Sequence, residues 1–292
     1  MATRRTDNRG GVVVTGASTG IGRACALRLD AMGFRVFGGV RREVDGESLK
    51  SEASDRLIPI LIDVTDSVSI ASAADVVAAA VGEAGLAGLV NNAGISVPGP
   101  LEFLPLEDIR RQLEVNVIGQ IAVTQAFLPL LRKGRGRIVN IGSISGRMAT
   151  PFLGAYAASK FAMEAVTDSL RMELRPWGIP VSIIEPGSIA TPLWQRGQSA
   201  ADEIEKKLPT EARQLYDPAM AAMREAATKF ERAGIPPTAV AKAVAHAFTA
   251  KKPRTRYLVG RDARIQAALV KVVPDRMLDR LIVRQLGLPN NP

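Results

Sequence analysis

The hydrophobic pattern of the chain alternates between two periods. Six short runs are apolar almost throughout: GVVVTG at 11–16, FRVFGGV at 34–40, LIPILID at 57–63, LAGLVNN at 86–92, RIVNIGS at 137–143 and PVSIIEP at 180–186. A strand covered on both faces reads this way, because neither of its side-chain faces meets water. Between the runs, apolar residues recur every three or four positions, which predicts helices over 21–32, 68–81, about 106–131 and 154–175. Strands alternating with such helices specify βαβ units, and several in succession specify an α/β fold, a Rossmann-like doubly wound parallel sheet.

Beyond Pro192 the rhythm changes to a charged, alanine-rich stretch, read as a helical lid insertion over 193–235. Pro236 and Pro237 then introduce a helix from about Thr238, and RYLVG at 256–260 supplies one more short run. No internal repeat and no low-complexity tract interrupts the pattern. The chain is therefore read as a single domain, 1–292, with a core at 11–192, the lid at 193–235, the end of the core at 236–260 and a basic helical tail at 261–292.

Composition adds little to this picture, but charge and cysteine narrow it. The net charge of +9 sits at the ends: residues 1–10 carry three arginines against one aspartate, and residues 251–292 carry ten basic groups against three acidic ones. The 240 residues between hold 25 of each sign, so any pull on anionic partners comes from the ends. Basic and aromatic residues do not interleave, which argues against nucleic-acid binding. In the tail, Met277, Leu278, Leu281 and Ile282 share one helical face and Arg276, Arg280 and Arg284 another. Such a stripe packs on its own domain or lies on a membrane surface. The polar start, MATRRTDNRG, has no apolar leader, and no run of 18 apolar residues occurs, so a soluble, cytoplasmic protein is expected. The lone Cys25 cannot form an internal disulfide and reads as a core residue.

Two groups of residues carry chemistry. Directly after the first strand stand Thr15, Gly16, Ala17, Ser18, Thr19, Gly20, Ile21 and Gly22, followed by a helix. Gly16 allows a tight turn, Gly20 lets backbone approach a pyrophosphate, and Gly22 lets helix pack on strand, while Ser18 and Thr19 add hydroxyls. A glycine-rich strand-to-helix turn is the alternative. Further on, Tyr156 and Lys160 stand four residues apart on a helix and so share a face. An ammonium beside a phenol favours phenolate, which makes Tyr156 a plausible acid/base. Ser143 ends the strand thirteen residues earlier, where a hydroxyl faces the ligand crevice of an open α/β sheet. Singly, these residues also suit a helix surface and a turn.

Taken together, TGASTGIG at 15–22, NNAG from Asn91 to Gly94 and the Tyr156-to-Lys160 spacing resemble the short-chain dehydrogenase/reductase family over roughly 11–260, and the long segment after Thr191, the run PRTRYLVGRDA and the basic helical tail resemble its hydroxysteroid and retinol dehydrogenase branch. The resemblance implies an oxidoreductase in which Tyr156 is the general acid/base, Ser143 orients the substrate oxygen, and Lys160 holds the nicotinamide ribose and lowers the tyrosine pKa. It further implies that Asn116 helps link Lys160 to a water chain, that Asp63 with Val64 contacts the adenine, and that Asn91, Ala93 and Gly94 lie along the cofactor. Pro186, Gly187, Ile189 and Thr191 match its nicotinamide-flanking segment. No metal is needed. The branch suggests a bulky apolar alcohol or ketone as substrate, and the family suggests a homodimer or homotetramer through the helices at 106–131 and 154–175.

Cofactor choice rests on the end of the second strand, where an acid would hold the ribose hydroxyls of NAD(H). That slot falls on Val40, and Arg41 and Arg42 follow with donors suited to the 2′-phosphate of NADP(H). NAD(H) is the alternative if Glu43 or Asp45 fills the acidic role. A serine hydrolase is disfavoured, because the single histidine, His246, lies far along the chain in what reads as core packing, and GSISG lacks the nucleophile-elbow spacing. A non-catalytic nucleotide-binding regulator would predict a damaged Asn116, Ser143, Tyr156 and Lys160 set, and all four are present.

Overall fold

The structure, a computed structural model, describes residues 9–289, so the N-terminal arginines Arg4 and Arg5 lie outside the described residues. The first half runs β1 (Gly11–Val14), α1 (Gly20–Ala31), β2 (Arg35–Val40), α2 (Glu43–Lys50), β3 (Leu57–Leu61), α3 (Ser67–Val81), β4 (Leu86–Asn91), α4 (Leu106–Leu113) and α5 (Gly119–Gly134). The second runs β5 (Arg137–Ile141), α6 (Gly154–Glu173), β6 (Val181–Pro186), α7 (Leu193–Lys207), α8 (Thr210–Ala233), α9 (Thr238–Thr249), β7 (Arg256–Val259), α10 (Arg261–Val272) and α11 (Asp275–Leu286).

All seven strands are parallel, in the order β3-β2-β1-β4-β5-β6-β7. The interior strands are buried along their length, as β1 and β6 show, which is why they carry no alternation. Pro59 is tolerated because β3 is an edge strand paired only with β2. Strand order reverses between β1 and β4, and this topological switch opens a crevice beyond the carboxyl ends of the strands.

Each face of the sheet has its own apolar layer. On one face Cys25 and Leu29 of α1 pack with Val240 and Val244 of α9 against Val12 and Val14. On the other, Ile70 and Val77 of α3 and Val123, Phe127 and Leu131 of α5 cover Val13, Phe37 and Leu89. Burial pushes the Cys25 thiol up to about 12, so it stays a neutral core group.

Two details differ from the sequence pattern. The helix expected over 106–131 is two helices, α4 and α5, joined by a π-type turn at Glu114–Ile118 with Asn116 at its centre. Helix α2 has no counterpart among the helices that the apolar spacing predicts. By length and composition, 67–84 and 106–134 are apolar enough to cross a bilayer, although neither holds 18 uninterrupted apolar residues. Both stretches place apolar residues in the layer against the sheet.

Candidate active site

The crevice at the switch point is a cleft of about 1230 Å³ running from the turn after β1, past the ends of β2 and β4, to the start of α6 and the helices after β6. At one end Gly16, Ser18, Thr19, Gly20 and Ile21 line it, with backbone amides of the first turn of α1 at its edge. Gly22 lies outside the lining, and its role is packing: an added Cβ would meet the Gly16 carbonyl oxygen at 2.1 Å. Thr15 also stands behind the cleft, where its hydroxyl accepts from the amides of Asn92 (2.9 Å) and Ala93 (3.1 Å) and so ties the loop after β4 to the glycine turn. Gly22 thus has the packing role read from the sequence, while Thr15, expected along the cofactor, supports the loop from behind the lining.

Asn91 is a second correction. As the last residue of β4 it points into the protein, donating to Thr124 Oγ1 (2.8 Å) and Asn140 Oδ1 (3.0 Å). Its neighbour Asn92 lines the cleft with Ala93 and Gly94, and donates to the carbonyls of Thr15 and Gly16. Successive strand residues face opposite ways, so only one of the two asparagines can do this.

Val40 is the final residue of β2 and lines the cleft beside Arg41, Arg42 and Asp45. Arg42 is held by Asp45, with Nε to Oδ2 at 2.9 Å and Nη2 to Oδ1 at 2.7 Å. This bond keeps the Asp45 carboxyl below the ordinary carboxylate range, and the charges of Arg196 and Arg41 act the same way. Asp63 and Val64 line the wall beyond. Partial burial works to raise the Asp63 pKa, but hydrogen bonds from Thr65 and the charge of Arg41 outweigh it and the carboxyl sits low.

At the other end, Ser143 stands two residues past β5, and Tyr156 and Lys160 rise from the first turns of α6. The Lys160 ammonium donates to the Ile141 carbonyl at 2.9 Å and lies 5.7 Å from the centre of the Tyr156 ring. Burial pushes Lys160 down to about 8 and raises the Tyr156 phenol, with the Ser143 hydroxyl, within hydrogen-bonding reach, pulling the other way. For the phenol, desolvation is the larger of these two effects. Asn116 lies buried at the centre of the π-type turn. Its amide brackets Ile95, accepting from the N–H at 2.8 Å and donating to the carbonyl at 3.0 Å, and also donates to Ser159 Oγ at 3.1 Å.

Pro186, Gly187, Ile189 and Thr191 line the cleft between its two ends. Asp262, in the first turn of α10, accepts from the Ser188 amide at 2.6 Å and crowds the space where Gly187 would carry a Cβ. Thr191 rests on Gly20, and the Trp194 indole donates to the Ile189 carbonyl at 2.8 Å. Sequence reasoning missed Asp262, Trp194 and Arg196. An acid in the first turn after Gly260 was the available signal for Asp262. His246 is exposed rather than in the core, bonded to the Tyr257 hydroxyl at 2.9 Å and outside the cleft lining.

The outer wall is mostly apolar, although Asp202, Glu205 and Arg224 also line it. Met148, Phe152, Ile204, Met220, Met223 and Phe230 line it, and the tail completes it with Ile282 and Leu286. Helix α11 docks on α8 through Ile282, Leu286 and Ala226, leaving Met277 and Leu281 exposed.

No nicotinamide dinucleotide is part of the structure, but the residues fit one: a glycine cradle without room for a side chain at Gly22, amides at a helix start, and cations at the end of β2. Residues 11–202 match the family profile described as short chain dehydrogenase. The chain is 37% identical over 279 residues to an NADPH-dependent 3-dehydrocapnine reductase of Ornithobacterium rhinotracheale, covering 94% of this chain and 96% of that one. It is 39% identical over 284 residues to retinol dehydrogenase 5 of Mus musculus, covering 95% and 89%. A short chain dehydrogenase from Burkholderia cenocepacia J2315, solved with NADP, superposes with a TM-score of 0.70 at 26% identity, covering 96% and 98%.

Proposed function

The chain belongs to the short-chain dehydrogenases, oxidoreductases acting on CH–OH and C=O groups with NAD(P)(H), and on that premise we propose that it reduces or oxidises a bulky apolar, lipid-like ketone or alcohol with NADP(H). The observation that carries the substrate class is the outer wall: methionine, phenylalanine and isoleucine side chains from the loop before α6 and from α7, α8 and α11 line the same cleft as Tyr156. Such a wall favours an alkyl, steroid or retinoid body over a sugar, because burying apolar surface contributes ~25 cal/mol per Å².

Bound along the cleft, the nicotinamide ring supplies or accepts the hydride. Tyr156 manages the proton at its Oη: burial further favours the neutral phenol, which gives the proton to the substrate oxygen in reduction and takes it back in oxidation. Ser143 Oγ holds the same oxygen in line. Lys160 Nζ donates to the ribose hydroxyls while its bond to the Ile141 carbonyl fixes its reach. Asn116 is a positioning residue, clamping Ile95 to α6 through Ser159.

NADP(H) is favoured over NAD(H) because Val40 gives the ribose no carboxylate and Arg41 faces the cleft, whereas Asp45, the acid that could serve NAD(H), is occupied by Arg42. A homo-oligomer is the favoured assembly. Leu106, Ile118 and Phe161 are apolar yet about half exposed or more, at 61%, 52% and 45%, along α4 to α6. The test of function is a panel of long-chain, steroid and retinoid ketones and alcohols against both cofactors, followed by absorbance at the nicotinamide band. Turnover of apolar carbonyls with NADPH is expected. Activity restricted to sugars, or to NADH, would overturn the reading.

A further inference from the structure

We propose that Arg196, on the first helix of the 193–235 segment, is a ligand for a cofactor phosphate and couples closure of that segment to cofactor binding. The inference rests on NAD(P)(H) use. Arg196 stands 177 positions after Thr19, yet its Nη2 meets Thr19 Oγ1 at 3.3 Å. Thr19 is the residue that starts α1, and its hydroxyl caps no amide of that helix. A guanidinium is thus parked over the turn that receives phosphate, on a lone hydroxyl at the long end of hydrogen-bond distance.

The surroundings leave Arg196 available. Arg42 is matched bidentately by Asp45, whereas among the described residues neither Arg41 nor Arg196 forms an ion pair. Both line the cleft and both act on the Asp45 carboxylate. Phosphate oxygens are far better partners than a hydroxyl, since charge-assisted hydrogen bonds are shorter and roughly twice as strong as neutral ones. Reach is fixed by the base of α7, where Thr191 sits on Gly20 and Trp194 bonds the Ile189 carbonyl.

The same helix carries Ile204, packed with Val97, Leu104 and Ala155 on the substrate side of the cleft. A phosphate drawing on Arg196 therefore draws on the helix that walls the substrate space, which links the two sites. The contact belongs either to the diphosphate or to the 2′-phosphate, and the two are separable. Dissociation constants for NADPH and NADH, measured by nicotinamide fluorescence on wild type, Arg196→Ala and Arg196→Lys, form one arm. Hydrogen exchange of residues 193–207 with and without NADPH forms the other.

Arg196→Ala is expected to weaken binding roughly tenfold. Loss confined to NADPH assigns the 2′-phosphate; loss shared with NADH assigns the diphosphate. Arg196→Lys recovers part of the affinity in either case. NADPH protects 193–207 in the wild type and not in Arg196→Ala. Unchanged affinity for both dinucleotides in Arg196→Ala overturns the phosphate contact, and protection that survives the substitution overturns the coupling. A wild-type chain that binds neither dinucleotide removes the cofactor reading itself, which is seen before any variant is made.

Discussion

Burial acts on Tyr156 and Lys160 in opposite chemical senses, disfavouring the phenolate of one and the ammonium of the other. The Lys160 ammonium is present below about 8 and is lost as pH rises through that value. Carbonyl reduction uses a protonated phenol, so its kcat/KM is expected to hold through neutrality and fall above pH 8. Alcohol oxidation needs phenolate and is expected to rise with pH. Profiles in both directions check this, and parallel profiles would refute it. Tyr156→Phe should lower kcat by about 10³-fold or more with little change in NADPH affinity, because only the hydroxyl is removed. Near-normal turnover would end the acid/base assignment. At the cofactor's far end, Val40→Asp with Arg41→Ala should shift the kcat/KM ratio toward NAD(H) by roughly 2–4 kcal/mol, because the 2′-phosphate is deprived of a guanidinium while the ribose hydroxyls acquire a carboxylate. An unchanged ratio argues against Arg41. The motif residues were legible because each must sit where backbone or proton chemistry happens. Which asparagine of the pair faces ligand was not, since it depends on where β4 stops.

Helix α6 presents a row at every fourth residue: Tyr156, Lys160, Glu164 and Asp168. The lower half of the row meets β6 and β7. Glu185 is wholly buried and receives Arg147 at 2.8 Å, while Arg256 bonds Glu164 at 3.0 Å and Asp168 at 2.7 Å. Burial pushes Glu164 up to about 7, the nearby Glu185 adds to the effect, and Arg256 opposes it. Oε1 of Glu164 and Oε2 of Glu185 have no hydrogen-bond partner among the described residues, and a proton on Glu164 would supply a donor between them. The folded protein holds that proton more tightly than the unfolded chain, so the stability it contributes is present at low pH and lost as pH rises from about 4.5 to about 7. Glu164→Gln keeps a donor and removes the titration. It should raise Tm above pH 7 by roughly 2–4 °C, with the gain shrinking toward pH 5, as calorimetry across that range can measure. A gain independent of pH would dismiss the shared proton. Helix and strand existence was legible in the periodicity. The π-type turn was not, because one widened turn barely disturbs the spacing of apolar positions while it moves Asn116 onto Ile95.

Across the whole molecule, several of the large apolar residues left in water lie on the α4–α6 layer, where a twofold contact would cover Leu106, Ile118 and Phe161. Phe161→Glu should convert a dimer or larger assembly to monomer in light scattering at micromolar concentration, with the far-ultraviolet spectrum unchanged. A wild type that is already monomeric defeats the assembly. The tail shows the reach of sequence at this scale: its stripe was visible, but its resting place on α8 depends on residues some sixty positions away. That docking divides the protein by ancestry of function. Ser143, Tyr156 and Lys160 all lie before Thr191, while most of the apolar wall is composed by the last hundred residues, α11 included, with Met148 and Phe152 added from the loop before α6. A chimera joining 1–192 of this chain to the C-terminal third of a relative would inherit its chemistry from one parent and its appetite from the other.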